Sequence, residues 1–162
     1  MFDSLRPATL DDLAQILLIE QRCFSIGRIG RRQMRYLLCH AKAQIWVALQ
    51  FGNVVGYTIY LTPKAPRRAR IYALAVAPEY QRQGIARALL QKVQQLAEKM
   101  GYKALALEVR CSARSAQLLY HQLGFSWTHL LYDYYADGED GWKMLCPLPC
   151  PEWVTDLTVS AA

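Results

Sequence analysis

Apolar residues recur at two periods along this chain, and the change of period marks its elements. Leu10, Leu13, Leu17 and Phe24 follow near-helical spacing behind Thr9, with Asp12 three residues after it, which predicts a first helix over 10–23. Gly27 and Gly30 then interrupt the helical pattern, and a second helix is expected over 31–40. Two β-branched and aromatic runs, 45–49 and 54–61, are separated by Gln50-Phe51-Gly52-Asn53 and read as a hairpin. Residues 62–69 carry prolines and bases and predict a loop, after which 70–76 returns as a strand.

Pro78 stops that strand, Gln81-Arg82-Gln83-Gly84 turns the chain, and Ile85, Leu89, Val93, Leu96 and Met100 stripe one face of a helix over 85–100 that Gly101 closes. Over 104–110 the period becomes two, with Leu105, Leu107 and Val109 on one face and Ala104, Ala106 and Glu108 on the other. Ser112 is expected to cap a helix that runs through Leu123 and ends at Gly124. Strands over 125–135 and 142–148, joined across 136–141, complete the pattern. A strand, helix, strand succession at the centre implies a parallel crossover, so the fold class is mixed α/β.

At 162 residues and 18.5 kDa the chain fits one domain, expected over 1–150 with 151–162 as a tail that either docks through Trp153 and Leu157 or frays. Hydrophobic residues at 53% against charged residues at 20% exclude disorder as a description of the whole. Apolar runs such as 73–77 fall far short of the roughly 20 residues that span a bilayer, and the first residues lack a secretory pattern, so a cytoplasmic protein without membrane contact is expected.

The net charge of +6 permits nucleic acid, ribosomes or acidic ligands as partners without naming one. Its bases gather at Arg28, Arg31, Arg32 and Arg35 and again at Lys64, Arg67, Arg68 and Arg70; solvated faces are the plainer explanation of both groups. Five cysteines without paired spacing, and His40, His121 and His129 scattered among them, point to no metal site. Free thiols are expected, although Cys146 and Cys150 flank Pro147-Leu148-Pro149 closely enough to meet under oxidation.

A glycine-bearing turn between a strand and a helix presents unpaired N–H groups and the positive end of a helix dipole, which together hold phosphate. Gln83-Gly84-Ile85-Ala86 occupies such a place: Gly84 admits positive φ and close approach, and Ala86 is small. A glycine there is also often only a turn. The wider string from Leu74 to Leu90 resembles motif A of the GNAT N-acetyltransferases, whose turn reads Q/R-x-x-G-x-G/A. Leu107-Glu108-Val109-Arg110 and Leu119-Tyr120-His121-Gln122-Leu123-Gly124-Phe125 resemble the next strand and helix of that family. Tyr134-Tyr135-Ala136-Asp137-Gly138-Glu139-Asp140, followed by Met144, is similar to the C-terminal hairpin of its protein Nα-acetyltransferases of the RimI type.

The resemblance implies a twisted, mostly antiparallel mixed sheet of six to seven strands with about four helices, and a splayed parallel strand pair that holds the pantetheine of acetyl-CoA. Cofactor contacts carry over to Leu74, Ala75, Val76, Gln81, Arg82, Gln83, Gly84, Ile85, Ala86, Arg87 and Tyr120. The Val76 N–H is the candidate for polarising the thioester carbonyl. Glu108 matches the family's base and Tyr120 its acid, while Phe24, Tyr134 and Tyr135 match substrate-site positions. On the residues alone, Glu108 also reads as an acid paired with Arg110 or another base, and Tyr120 as a core tyrosine with a satisfied hydroxyl. Tyr134 and Tyr135 would alternate on a strand, so only one of them would face the amine.

Two departures stand out: Ala113 replaces an asparagine that contacts the cofactor arm, and residues 25–30 replace a Pro-Trp segment near which acceptor choice is set. The leading expectation is transfer from acetyl-CoA to the α-amine of a protein N-terminus, ribosomal proteins among them, by direct attack in a ternary complex, from a monomer or weak dimer. The alternatives are a lysine side chain, a small amine or a polyamine as acceptor, or a non-catalytic acetyl-CoA or RNA-binding module. Nucleic-acid contact is expected only through proximity to the ribosome.

Overall fold

In a computed structural model, which describes residues 2–40, 42–65 and 67–151, the strands are β1 (Ser4–Pro7), β2 (Ala43–Gln50), β3 (Asn53–Leu61), β4 (Arg68–Val76), β5 (Ala104–Arg110), β6 (Ser126–Leu131) and β7 (Gly141–Pro147). The α-helices are α1 (Leu13–Cys23), α2 (Arg31–Cys39), α3 (Ile85–Lys99) and α4 (Arg114–Gln122). Hydrogen bonding joins the strands in the order β1-β2-β3-β4-β5-β7-β6. The β4–β5 pair is parallel, and the β1–β2, β2–β3, β5–β7 and β6–β7 pairs are antiparallel, so the class is the mixed α/β fold expected.

The chain forms two compact units: the described residues of Met1–Thr62 with Ile71–Lys92, and those of Pro63–Arg70 with Val93–Ala162. In the first, Leu13, Ile16 and Ile19 of α1 and Met34 and Leu37 of α2 form one core with Val47, Tyr57 and Ile59 of the β2–β3 hairpin. Ala48 and Val55 instead join Val76, Ile85 and Leu89 in a second cluster, so alternate residues of one hairpin serve two cores, as the two-residue period requires. In the second unit Leu105, Leu107 and Val109 of β5 are buried, as are Leu123, Phe125, Met144 and Cys146.

Several boundaries differ from the sequence pattern. The four-residue strand β1 was not anticipated; it exists by pairing with β2, and its position at the sheet edge tolerates Pro7. The first turn of the expected helix over 10–23 is a 3-10 turn, Leu10–Asp12, where the Asp12 carboxylate accepts from the Thr9 N–H at 2.8 Å and from Arg6 at 2.7 and 2.9 Å. Arg68 and Ala69, expected in a loop, are drawn into β4 by pairing with Ala104 and Leu105. Ser112 does not cap α4: the N-cap is Ala113, and the Ser112 hydroxyl donates to Glu139 Oε2 at 2.6 Å. The expected strand over 125–135 stops at Leu131, where register with β7 ends at Gly141.

The five cysteines are free thiols. Cys146 and Cys150 lie with sulfurs 3.8 Å apart, against about 2.05 Å for a disulfide. No helix among the described residues is long and apolar enough to cross a membrane. Trp153 and Leu157 of the expected tail lie outside the described residues.

Candidate active site

Within the first unit, β4 runs through Leu74, Ala75 and Val76 into a 3-10 turn over Pro78–Tyr80, and α3 begins at Ile85. The turn between them is strained in a particular way. Gly84 has φ +81°, Arg82 has φ +61°, which is uncommon away from glycine, and Gln81 to Gly84 are exposed. The N–H groups of Arg82, Gln83 and Gly84 donate to no backbone carbonyl among the described residues, and a Cβ built on Gly84 meets nothing within 4 Å. Open amides, free space and a helix N-terminus meet in this turn, an arrangement that attracts anions, and Ala86 and Arg87 follow half-buried on the first turn of α3. The Gln81 side chain donates to the Val76 carbonyl at 3.0 Å, so it braces the turn against the strand.

The end of α1 meets the same strand. The Cys23 thiol donates to the Val76 carbonyl at 3.3 Å, and Phe24, half-buried, packs on the core that holds Ala75. Gly56 of β3 is a residue the sequence analysis passed over. A Cβ there would stand 3.2 Å from the Ala75 carbonyl, 3.1 Å from Ile85 Cγ2 and 3.3 Å from Val76 Cγ2. A glycine inside the otherwise apolar run Val54-Val55-Gly56-Tyr57 was the available signal, because such a glycine often marks a close backbone approach.

The second unit gathers the ionisable side chains. Glu108 on β5 is largely buried, its side chain 13% exposed, and its Oε2 accepts from Arg70 Nε at 2.9 Å. Of the partners the sequence left open, Arg110 or another base, it is another base, Arg70, that pairs with Glu108. Arg110 Nη1 binds Asp137 Oδ2 and Glu139 Oε1, each at 2.9 Å, and its guanidinium lies 4.1 Å over the Tyr135 ring. The Arg110 hydrogen bonds hold the Asp137 carboxyl below the usual range, and the hydroxyl of Ser112, followed by Arg110, does the same for Glu139.

Tyr120 on α4 packs edge-on to Phe125, with ring centroids 5.9 Å apart. Its hydroxyl makes no hydrogen bond among the described residues, whereas the helical face suggested a core tyrosine with a satisfied hydroxyl. Burial, with a contribution from Tyr135, raises its pKa to about 12. Tyr135 is likewise raised to about 12, first by burial and then by Tyr134, with Glu108 adding to the effect, so Tyr135 lies within electrostatic reach of both Glu108 and Tyr120. Tyr134 and Tyr135 lie in the β6–β7 loop rather than on a strand, with rings perpendicular at 5.0 Å, so strand alternation does not separate them. Among the described residues no group of three or more His, Cys, Asp or Glu side chains is placed to hold a metal ion.

Residues 13–125 match the family model described as the Acetyltransferase (GNAT) family. The chain is 32% identical over 156 residues to an N-alpha-acetyltransferase of Saccharolobus solfataricus, covering 90% of this chain and 93% of that protein. It is 43% identical over 102 residues, 61% of this chain and 68% of the relative, to the ribosomal protein bS18-alanine N-acetyltransferase of Escherichia coli K12. The crystal structure of the ribosomal-protein-S18-alanine N-acetyltransferase from Escherichia coli superposes with a TM-score of 0.82 at 30% identity, covering 91% of this chain and 95% of that one. Sequence and fold thus agree over most of the chain's length, and the protein is an acetyltransferase that belongs to the GNAT family.

Proposed function

We propose that the protein uses acetyl-CoA to acetylate the α-amine at a protein N-terminus in the cytoplasm. The observation that carries the cofactor assignment is the turn before α3, where unpaired amides of Arg82, Gln83 and Gly84 surround space that no side chain occupies. A pyrophosphate fits such a cradle, with the amides of Ile85 and Ala86 and the helix dipole adding to the attraction. Backbone groups at Leu74, Ala75 and Val76 hold the acyl arm, and the Val76 N–H polarises the thioester carbonyl. Bound acetyl-CoA supplies an activated acetyl group.

The acceptor reaches the site as an ammonium and must lose a proton before it attacks. Glu108, whose Oε2 accepts from Arg70, takes that proton on its carboxylate. Tyr120 gives its hydroxyl proton to the departing sulfur, a role that suits a hydroxyl whose burial keeps it neutral up to about pH 12. The family resemblance assigns Phe24, Tyr134 and Tyr135 to the acceptor. The N-terminal acceptor is supported by relatives named as N-alpha-acetyltransferases and as a ribosomal-protein alanine acetyltransferase.

The test is a mass-resolved transfer assay with acetyl-CoA and matched peptides that carry either a free α-amine or only a free lysine. Product confined to the α-amine is expected. Product on lysine alone would move the reading to side-chain acetylation.

A further inference from the structure

From Phe24 to His40 the chain carries Arg28, Arg31, Arg32 and Arg35 and no acidic residue. All four arginines are exposed, and none makes a hydrogen bond or ion pair with a described residue. Arg31, Arg32 and Arg35 stand on the solvent side of α2, whose other side buries Met34 and Leu37. Arg28 lies within electrostatic reach of the Glu20 carboxyl, whereas Arg31, Arg32 and Arg35 on the nine-residue helix repel one another, so the arrangement favours an anion that lies across them.

This segment is anchored to the strand that carries the acyl-arm residues. At one end Cys23 donates to the Val76 carbonyl at 3.3 Å, and at the other Gln33 Nε2 donates to the Tyr72 hydroxyl at 2.8 Å. Tyr72 and Val76 are four residues apart on β4, about 13 Å along an extended strand. Between these anchors the turn is pinned from beneath: the buried Glu20 carboxylate accepts from the Ile29 N–H at 2.9 Å and from the Tyr57 hydroxyl. The segment that carries the arginines is therefore tied to β4 at Tyr72 through Gln33 and at Val76 through Cys23.

We infer that this face receives carboxylates of the acceptor itself, so that the preferred substrates are protein N-termini with acidic residues a few positions behind the α-amine. The inference rests on the N-terminal reading above and assigns its substrate class. An extended peptide advances about 3.3 Å per residue, so positions two to six cover a distance comparable with the anchored segment. A peptide is favoured over RNA because the face offers no open stacking platform: its exposed aromatic ring, Tyr36, is already stacked on His40 at 4.7 Å.

The test compares three peptides with the same first residue and a free α-amine, whose positions two to six carry glutamates, neutral residues or arginines. The acidic peptide is expected to exceed the basic one in kcat/KM by roughly 3- to 20-fold, the sum of a few exposed charge pairs. The gap should close near 1 M salt, where the screening length falls to about 3 Å. The double variant Arg31→Glu/Arg35→Glu is expected to invert the order. Equal kcat/KM for all three peptides overturns the inference while leaving N-terminal acetylation intact. Product on lysine with none on any α-amine overturns that reading and the inference with it. RNA binding that is lost in the double variant, with the peptide order unmoved, assigns the face to nucleic acid and overturns the acidic-acceptor inference.

Discussion

Arg70 and Glu108 are joined across the parallel strands β4 and β5 by a 2.9 Å hydrogen bond from Nε to Oε2. Their Cα register places Arg70 opposite Ala106, one side-chain repeat before Glu108 on the same face. Arg70 thereby fixes one carboxylate oxygen, and in the proposed mechanism it positions the base. Glu108→Gln is expected to lower kcat by roughly 10- to 10⁴-fold. Arg70→Met should lower kcat on the order of 10-fold, through misplacement of the base, with KM for acetyl-CoA unchanged. An ion pair with a 38% exposed arginine contributes little to folding, so the melting temperature should stay near wild type. Partial recovery of kcat in Arg70→Lys would separate positioning from a merely structural role, and a wild-type kcat in Arg70→Met would end the argument.

Tyr120 offers a second measurement. Tyr120→Phe keeps the edge-on contact with Phe125 and removes only the hydroxyl, so a loss of kcat of roughly 10- to 10⁴-fold should come with an intact fold. Folding raises the pKa of this group from 10 to about 12, which means that the native state prefers the neutral phenol. The stability linked to it is complete below pH 10 and is lost as pH rises towards 12. Thermal melts across that range should fall less steeply for Tyr120→Phe than for wild type, and identical slopes would count against the assignment.

Gly56 and Gly84 should fail differently when given a side chain. At Gly56 the cost is collision with the Ala75 carbonyl and Ile85, and Gly56→Val is expected to destabilise by about 1–3 kcal/mol while weakening acetyl-CoA binding. At Gly84 there is room, so the cost of Gly84→Val is backbone strain at φ +81° together with obstructed amides. Calorimetric titration with acetyl-CoA should show the larger loss of affinity per unit of lost stability at Gly84.

Asp12 and Glu20 are buried carboxyls of opposite sign in their effect on stability. Arg6 holds Asp12 below its ordinary range, so its contribution is present above the usual aspartate pKa and is lost as pH falls. Burial raises Glu20 against the opposing Ile29 N–H bond, so its native form favours the proton and its contribution is lost as pH rises. Melts of Asp12→Asn should therefore converge with wild type in acid. Those of Glu20→Gln should gain on wild type as pH increases, and parallel curves for either variant would contradict the corresponding environment.

Helix and strand identity was legible in the sequence where one face repeats without interruption. Ile85, Leu89 and Val93 define α3, and Leu105, Leu107 and Val109 define the buried face of β5, because local periodicity alone decides which side can be buried. The Gly84 turn and the residues around it were legible for a related reason: an unpaired amide cluster at a helix start is a property of a short contiguous segment.

What the sequence left open involves partners distant along the chain. β1 exists only because β2 lies beside it, and Gly56 is required only because Ala75 and Ile85 approach it. Arg110 was as near to Glu108 in sequence as a partner can be on one strand face, yet it turns to Asp137 and Glu139 while Arg70, 38 residues earlier, takes Glu108. The sequence by itself determined most of the helices and strands and the glycine turn before α3, and its resemblance to the family named the candidate base and acid. Tertiary structure alone decided how those groups are paired and freed, because a charge selects its partner by distance and burial in space, and neither is encoded in a local repeat.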